Sequence, residues 1–146
     1  MAILIDTNIL LRVVQPTHPM HPVAVRALEI LMSRGERLMI AVQSVAEFWN
    51  VATRPEANNG LGFTIEESRD EVKKLEGFFE ILYENARSYG IWKELVLNQR
   101  VRGTKVHDTR LGAVMMANEI RQIVTFNVAD FARFTSIVAS HPDQIT

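Results

Sequence analysis

The sequence predicts a single-domain α/β protein, a three-layer α/β/α sandwich built on a parallel sheet of five strands. Short apolar runs alternate along the chain with longer stretches of helical periodicity. Each run is almost wholly apolar, as expected of strands covered by helices on both faces. The 146 residues can bury roughly two-thirds of their unfolded surface in one core, and they contain no internal repeat or low-complexity segment.

Ala2 to Ile5 is the first strand, ending abruptly at Asp6-Thr7-Asn8. Thr7 to Arg12 makes a short helix, broken at Gln15-Pro16, and Pro16 to Pro22 is a turn region. Pro22 suits the first turn of a helix running to about Arg34, with Gly35 as its stop. Leu38 to Val42 is a second strand. A helix opened by Gln43-Ser44 reaches about Thr53, and its apolar residues Val45, Phe48, Trp49 and Val51 point nearly all round.

Arg54 to Gly62 is a loop. Thr64 and Glu67 form a capping box before a charged helix ending near Gly77. Phe78 to Leu82 is the third strand, and Ser88 to Gln99 an amphipathic helix. A basic loop, Arg100 to Lys105, precedes a helix from about Thr109 to Glu119. Ile123 to Thr125 is the fourth strand, Val128 to Phe131 one helical turn, and Ile137 to Ala139 the fifth strand. The domain is expected over residues 1–140, with 141–146 a polar, frayed tail.

The composition, 47% hydrophobic and 23% charged, is that of an ordinary globular domain. No apolar run approaches the roughly 20 residues of a membrane helix, so no membrane partner is expected. The opening residues lack the basic-then-apolar pattern of a secretory leader, and a cytoplasmic location is expected. With no cysteine, disulfides, thiolate metal sites and a cysteine nucleophile are excluded.

Four acids stand at strand ends or at the helix starts that follow them: Asp6, Glu47, Asp108 and Asp130. Each has a structural reading. Asp6 and Asp108 suit helix N-caps, Ser44-x-x-Glu47 reads as a capping box, and Asn127-x-x-Asp130 as another cap pair. Together they point elsewhere, because ligands of open α/β sheets bind beyond the strand carboxyl ends. At about 6 Å, two carboxylates repel by about 2.8 kcal/mol at an effective dielectric of about 20. Over every pair of such a cluster the total rivals a folding stability of about 5–15 kcal/mol. The cluster must therefore hold protons, cations or both, and all-oxygen ligands favour a hard ion, Mg²⁺ or Mn²⁺. Setting these four acids aside changes the formal net charge from −1 to +3, a mildly basic rim around an acidic pit.

Asp6-Thr7-Asn8 after an apolar strand resembles the opening motif of PIN-domain ribonucleases, which include the VapC toxins. S-V-A-E with Glu47, H-D-T-R-L-G-A with Asp108, and T-F-N-V-A-D-F from Thr125 to Phe131 resemble the other motifs of that family, in order. The resemblance spans nearly the whole chain. It implies a Rossmann-like sheet with acids at its carboxyl edge, binding Mg²⁺ or Mn²⁺ for hydrolysis of RNA phosphodiesters. By matching position, Asp6, Glu47, Asp108 and Asp130 are the catalytic acids. Asp6 and Asp108 would bridge the ion and Asp130 complete the set, while Glu47 orients the water or holds the ion through one. Thr7, Thr125 and Asn127 would be polar support. Many relatives carry Asp where this chain has Asn127, which adds no charge and weakens the case for a second metal. The resemblance also implies a small DNA-binding antitoxin as partner.

Arg100, Arg102, Lys105 and Arg110 cluster around Asp108. They read as a solvated loop or as phosphate contacts beside the cleft. His18 and His21 flank prolines that forbid a helix through them and suit a surface loop, and His107 steadies the turn before Asp108. Phe48 and Trp49 lie about 100° apart on their helix and cannot share one burial direction, so either nearby helices of the chain cover both or one contributes to a homodimer or antitoxin surface. The leading function is a metal-dependent ribonuclease acting as a toxin. A free-standing RNA-processing nuclease and a non-catalytic RNA- or partner-binding domain stand as alternatives. A phosphatase with a strand-end Asp nucleophile needs a second Asp in D-x-D-x-T, where this chain has Asn8.

Overall fold

A computed structural model describes residues 1–146. Its centre is a parallel sheet of five strands in the order β3-β2-β1-β4-β5. The strands are β1 (Ala2–Ile5), β2 (Arg37–Ala41), β3 (Glu80–Leu82), β4 (Gln122–Val124) and β5 (Val138–Ser140). The helices are α1 (Thr7–Val13), α2 (His21–Ser33), α3 (Val42–Thr53), α4 (Ile65–Phe78), α5 (Ala86–Asn98) and α6 (Lys105–Ala117). The α/β sandwich expected from the sequence is the fold observed.

The continuous apolar runs follow from burial on both faces. In β1, Ile3 and Ile5 join the core beneath α1, α2, α3 and α4, whereas Leu4 joins the core beneath α6. In β2, Leu38 and Ile40 face the first core, and Met39 and Ala41 the second. With period-two side chains, strand positions covered on both faces must be apolar in succession, as in Ile3 to Ile5 and Leu38 to Ala41. Gly112 lies on the sheet side of α6, where an added Cβ would stand 3.2 Å from the Phe134 ring. Its lack of a side chain lets the turn after β4 pack tightly on that helix.

The chain passes from β1 outward to β2 and β3, then returns to lay β4 on the other side of β1. That reversal opens a crevice beyond the carboxyl ends of β1 and β4. Their register pairs Ile5 with Val124, so the next residues, Asp6 and Thr125, meet at its floor.

Most element ends lie within about one or two residues of expectation, and three starts shift by two or more. The sixth helix begins at Lys105, four residues early, because Gly103 (φ +61°) turns the chain and Thr104 is already helical. Asp108 is consequently inside the first turns of α6 and is not its N-cap. The fifth helix begins at Ala86, capped by a reciprocal Asn85–Ser88 box. Phe78 closes α4 and does not open β3. The tail is not frayed: His141 caps a 3-10 turn, Pro142–Gln144, Pro142 is buried, and Ile145 packs on the first core. No helix is long and apolar enough to cross a membrane.

Candidate active site

Asp6 leaves the end of β1 as the N-cap of α1, its Oδ1 accepting the Thr7 backbone N–H at 2.8 Å. The cap reading of Asp6 therefore holds, but it uses only one oxygen. Oδ2 accepts the Thr125 hydroxyl from the end of β4 at 2.7 Å. Thr125 Oγ1 in turn accepts the Asn127 backbone N–H at 3.0 Å and Asn8 Nδ2 at 3.2 Å. Asn8 Oδ1 accepts the Phe126 N–H at 3.2 Å. Two loops that follow neighbouring strands are thus tied together around one carboxylate.

Glu47 projects from α3, one turn beyond Gln43. It caps nothing: α3 has no side-chain cap bond. Glu47 Oε2 accepts the Thr7 hydroxyl at 2.9 Å, and Oε1 accepts Gln43 Nε2 at 2.8 Å. The same Gln43 amide donates to the His107 carbonyl at 3.1 Å, linking α3 to the first turn of α6 just before Asp108. Gln43 is buried, and its Oε1 has no partner. Asp130 sits in the 3-10 turn after β4 (Val128–Phe131), and its Oδ1 accepts Lys105 Nζ at 2.9 Å. The Asn127 side chain makes no cap bond, so that cap pair is not formed either.

All four acids line one cavity of about 320 Å³, together with Thr7, Asn8 and Asn127. Charges so crowded should resist ionisation. Burial pushes the Asp6 carboxyl up to about 6, the Glu47 and Asp108 charges add to the rise, and the Thr125 hydroxyl and Thr7 N–H oppose it. Asp108 is also raised, by burial first and then by Asp130 and Glu47, with Lys105 opposing. The Lys105 ammonium is held above its usual value by Asp130.

The basic residues around Asp108 divide. Lys105 is exposed and pairs with Asp130, Arg110 is forked by Glu84 with Nη2 2.9 Å from Oε2, and Arg100 and Arg102 are exposed with no acidic partner. His18 and His21 make local bonds only: His18 Nδ1 accepts the Met20 N–H, and His21 Nδ1 lies 2.8 Å from the Arg12 carbonyl. His107 contributes its carbonyl. Phe48 is wholly buried, whereas Trp49 is half-buried beside Val45, Val72 and Tyr83. Two residues in the hydrogen-bond network had no role assigned from the sequence. Gln43 is detectable as the residue one turn before Glu47 on the same helix face, and Asn8 as the third member of Asp6-Thr7-Asn8.

The donor set suits a hard divalent cation, since four carboxylates line one cavity and only one of them, Asp130, is paired with a lysine. No three of them already stand together as a cation site. Glu47 is engaged by Thr7 and Gln43, and Asp130 by Lys105, while Asp108 makes no side-chain hydrogen bond. Residues and charge fit the ion, and Lys105 would have to release Asp130 for all to take part.

The family profile described as PIN domain matches residues 3–136. A search of the curated proteins finds no significant match. Among solved structures, the fold is similar to VapBC2 from Rickettsia felis, bound to a DNA fragment from their promoter, with TM-score 0.72 and 19% identity over 97% of this chain and 98% of that one. VapBC-1 from nontypeable Haemophilus influenzae gives TM-score 0.69 and 20% identity, with 97% and 98% covered. Mycobacterium tuberculosis VapC20, described as a Sarcin-Ricin loop cleaving toxin, gives 0.58 and 16%, with 83% and 86% covered.

Proposed function

The chain belongs to the PIN-domain family, and on that premise we propose that it is a metal-dependent endoribonuclease acting as the toxin of a toxin–antitoxin pair. The observation that carries this reading is the meeting of Asp6, Glu47, Asp108 and Asp130 in one cavity with Asp6 pushed up to about 6. PIN domains are generally nucleases, and an acidic pit of this kind takes a polyanion only through bound cations.

Asp6, Asp108 and Asp130 would hold Mg²⁺ or Mn²⁺. Bound there, the ion supplies an activated water for in-line attack on phosphorus and offsets charge on the phosphoryl oxygens. The rest is done by the chain's own side chains. Thr7 and Gln43 hold Glu47 by both oxygens and fix its direction, so that it orients the attacking water. Thr125 and Asn8 keep Asp6 facing the cavity, and Asn127 would give polar support at the rim. Lys105, once free of Asp130, joins Arg100 and Arg102 in contacting phosphates along the bound strand.

The partner reading is supported by the likeness to VapBC structures, some of which contain DNA. A small DNA-binding antitoxin would block the cavity in the cytoplasm, and the half-buried Trp49 face of α3 would support a homodimer. Trp49→Glu is expected to lower the mass seen by light scattering, and an unchanged mass removes that face from the assembly.

Incubation with labelled single-stranded RNA tests the main reading. Cleavage is expected with Mg²⁺ or Mn²⁺, but not with EDTA or in Asp6→Asn. Cutting that persists in EDTA would falsify it, and binding without cutting would leave only the non-catalytic alternative.

A further inference from the structure

Beside the carboxylate cavity lies another of about 450 Å³, lined by Glu84, Asn85, Ser88, Tyr89, Trp92 and Arg110. Its walls are the segment after β3, the first two turns of α5 and part of α6. Both cavities thus open near strand carboxyl ends and share α6, which gives Asp108 to one and Arg110 to the other. The two are close enough for the Glu47 charge to act on the Arg110 guanidinium.

The floor of this second cavity is aromatic. Trp92 is fixed by its indole N–H, which donates to the Val106 carbonyl at 3.2 Å. Tyr89, one turn earlier, stacks on it with ring centroids 6.2 Å apart and planes 28° from parallel. Tyr89 remains 63% exposed, so its ring rests on a fixed partner while staying largely open to solvent. The polar wall is electrically balanced, because both Glu84 oxygens already face Arg110. A free phosphate would find no unpaired cation there. An uncharged heteroaromatic ring would find a stacking face, with the remaining Arg110 N–H groups and Glu84 lone pairs at its edge.

We propose that this cavity holds an unpaired nucleobase of a single-stranded RNA, stacked on Tyr89, while a neighbouring phosphate lies over the four carboxylates. The inference rests on the ribonuclease reading above and narrows its substrate to strands with an unstacked base beside the cut. Base–aromatic stacking is sequence-tolerant and is lost with the ring.

The test uses the full chain with a single-stranded oligoadenylate. In a Trp49→Phe background Trp92 is the one tryptophan left, and its emission should be quenched as oligoadenylate is added. In Mg²⁺, Tyr89→Ala should raise KM about tenfold with kcat within about twofold, and Tyr89→Phe should restore KM. Unchanged KM in Tyr89→Ala with no quenching, in a protein that still cuts RNA, overturns this subsite and spares the nuclease reading. Equal quenching by a perfect RNA duplex also overturns it, because a paired base has no free face. A wild-type chain that cuts no RNA with either Mg²⁺ or Mn²⁺ overturns the nuclease reading and this inference with it.

Discussion

Two sets of carboxylates in this molecule behave in opposite ways. On the rim of β3, Glu80 and Glu84 each meet an arginine, Arg37 and Arg110 respectively, and hydrogen bonding holds both carboxyls below their usual range. At the end of β1 and near the start of α6, Asp6 is buried and Asp108 half-buried among other acids, and both are raised. The residue chemistry is nearly the same. What differs is the number of cations within reach and the amount of water removed. The rim pairs are finished interactions. The cavity is charge-unbalanced as folded and gains most from an added cation.

The sharpest way to break this contrast is to remove its centre. Asp6→Asn should lower cleavage by at least about 100-fold, beyond the loss typical of residues that merely support a metal ligand. A milder loss would mean that Asp6 is chiefly a cap. Next is Gln43→Leu, which removes the amide holding Glu47 and the His107 carbonyl. It should cost about tenfold in kcat, and an unchanged kcat would show that Glu47 needs no such anchor.

The same contrast has a stability arm. Asp6 rises from 3.8 to about 6 on folding, so the folded state prefers the protonated form. Its contribution is most favourable below about pH 4 and is lost as pH rises through about 6. In EDTA at pH 8, Asp6→Asn should therefore be more stable than wild type to urea, by about 2 kcal/mol after some loss at the Thr125 hydroxyl. That advantage should shrink toward pH 4, and a pH-independent difference would contradict the electrostatic account. Arg37→Ala at the exposed Glu80 pair should do least, leaving the thermal midpoint where it was, since solvent screens such pairs. A clear drop there would erase the distinction drawn between rim and cavity.

Much of this was readable along the chain. The strand before Asp6 announces itself because a buried parallel strand tolerates only apolar residues. The Thr64–Glu67 box forms as read because its partners are three residues apart. The early start of α6 was not readable, because it depends on Gly103 turning and on Thr104 entering the helix without a cap bond. Nor was the division of the basic cluster: Lys105 and Arg110 look alike in sequence, yet one meets Asp130 and the other Glu84, each about 25 residues away.

The amino-acid order by itself determined the alternation of strands and helices, the apolar faces and the placing of Asp6 and Asp130 shortly after strands and of Glu47 and Asp108 early in helices. Those properties depend on neighbours a few residues apart and on side-chain periodicity. Only the tertiary structure decided that these acids share a cavity, that Thr125 and Gln43 hold two of them, and that an aromatic floor lies alongside. Such outcomes depend on the return of β4 to the side of β1, which brings together groups as much as 119 residues apart. Desolvation and charge crowding exist only once that packing is made.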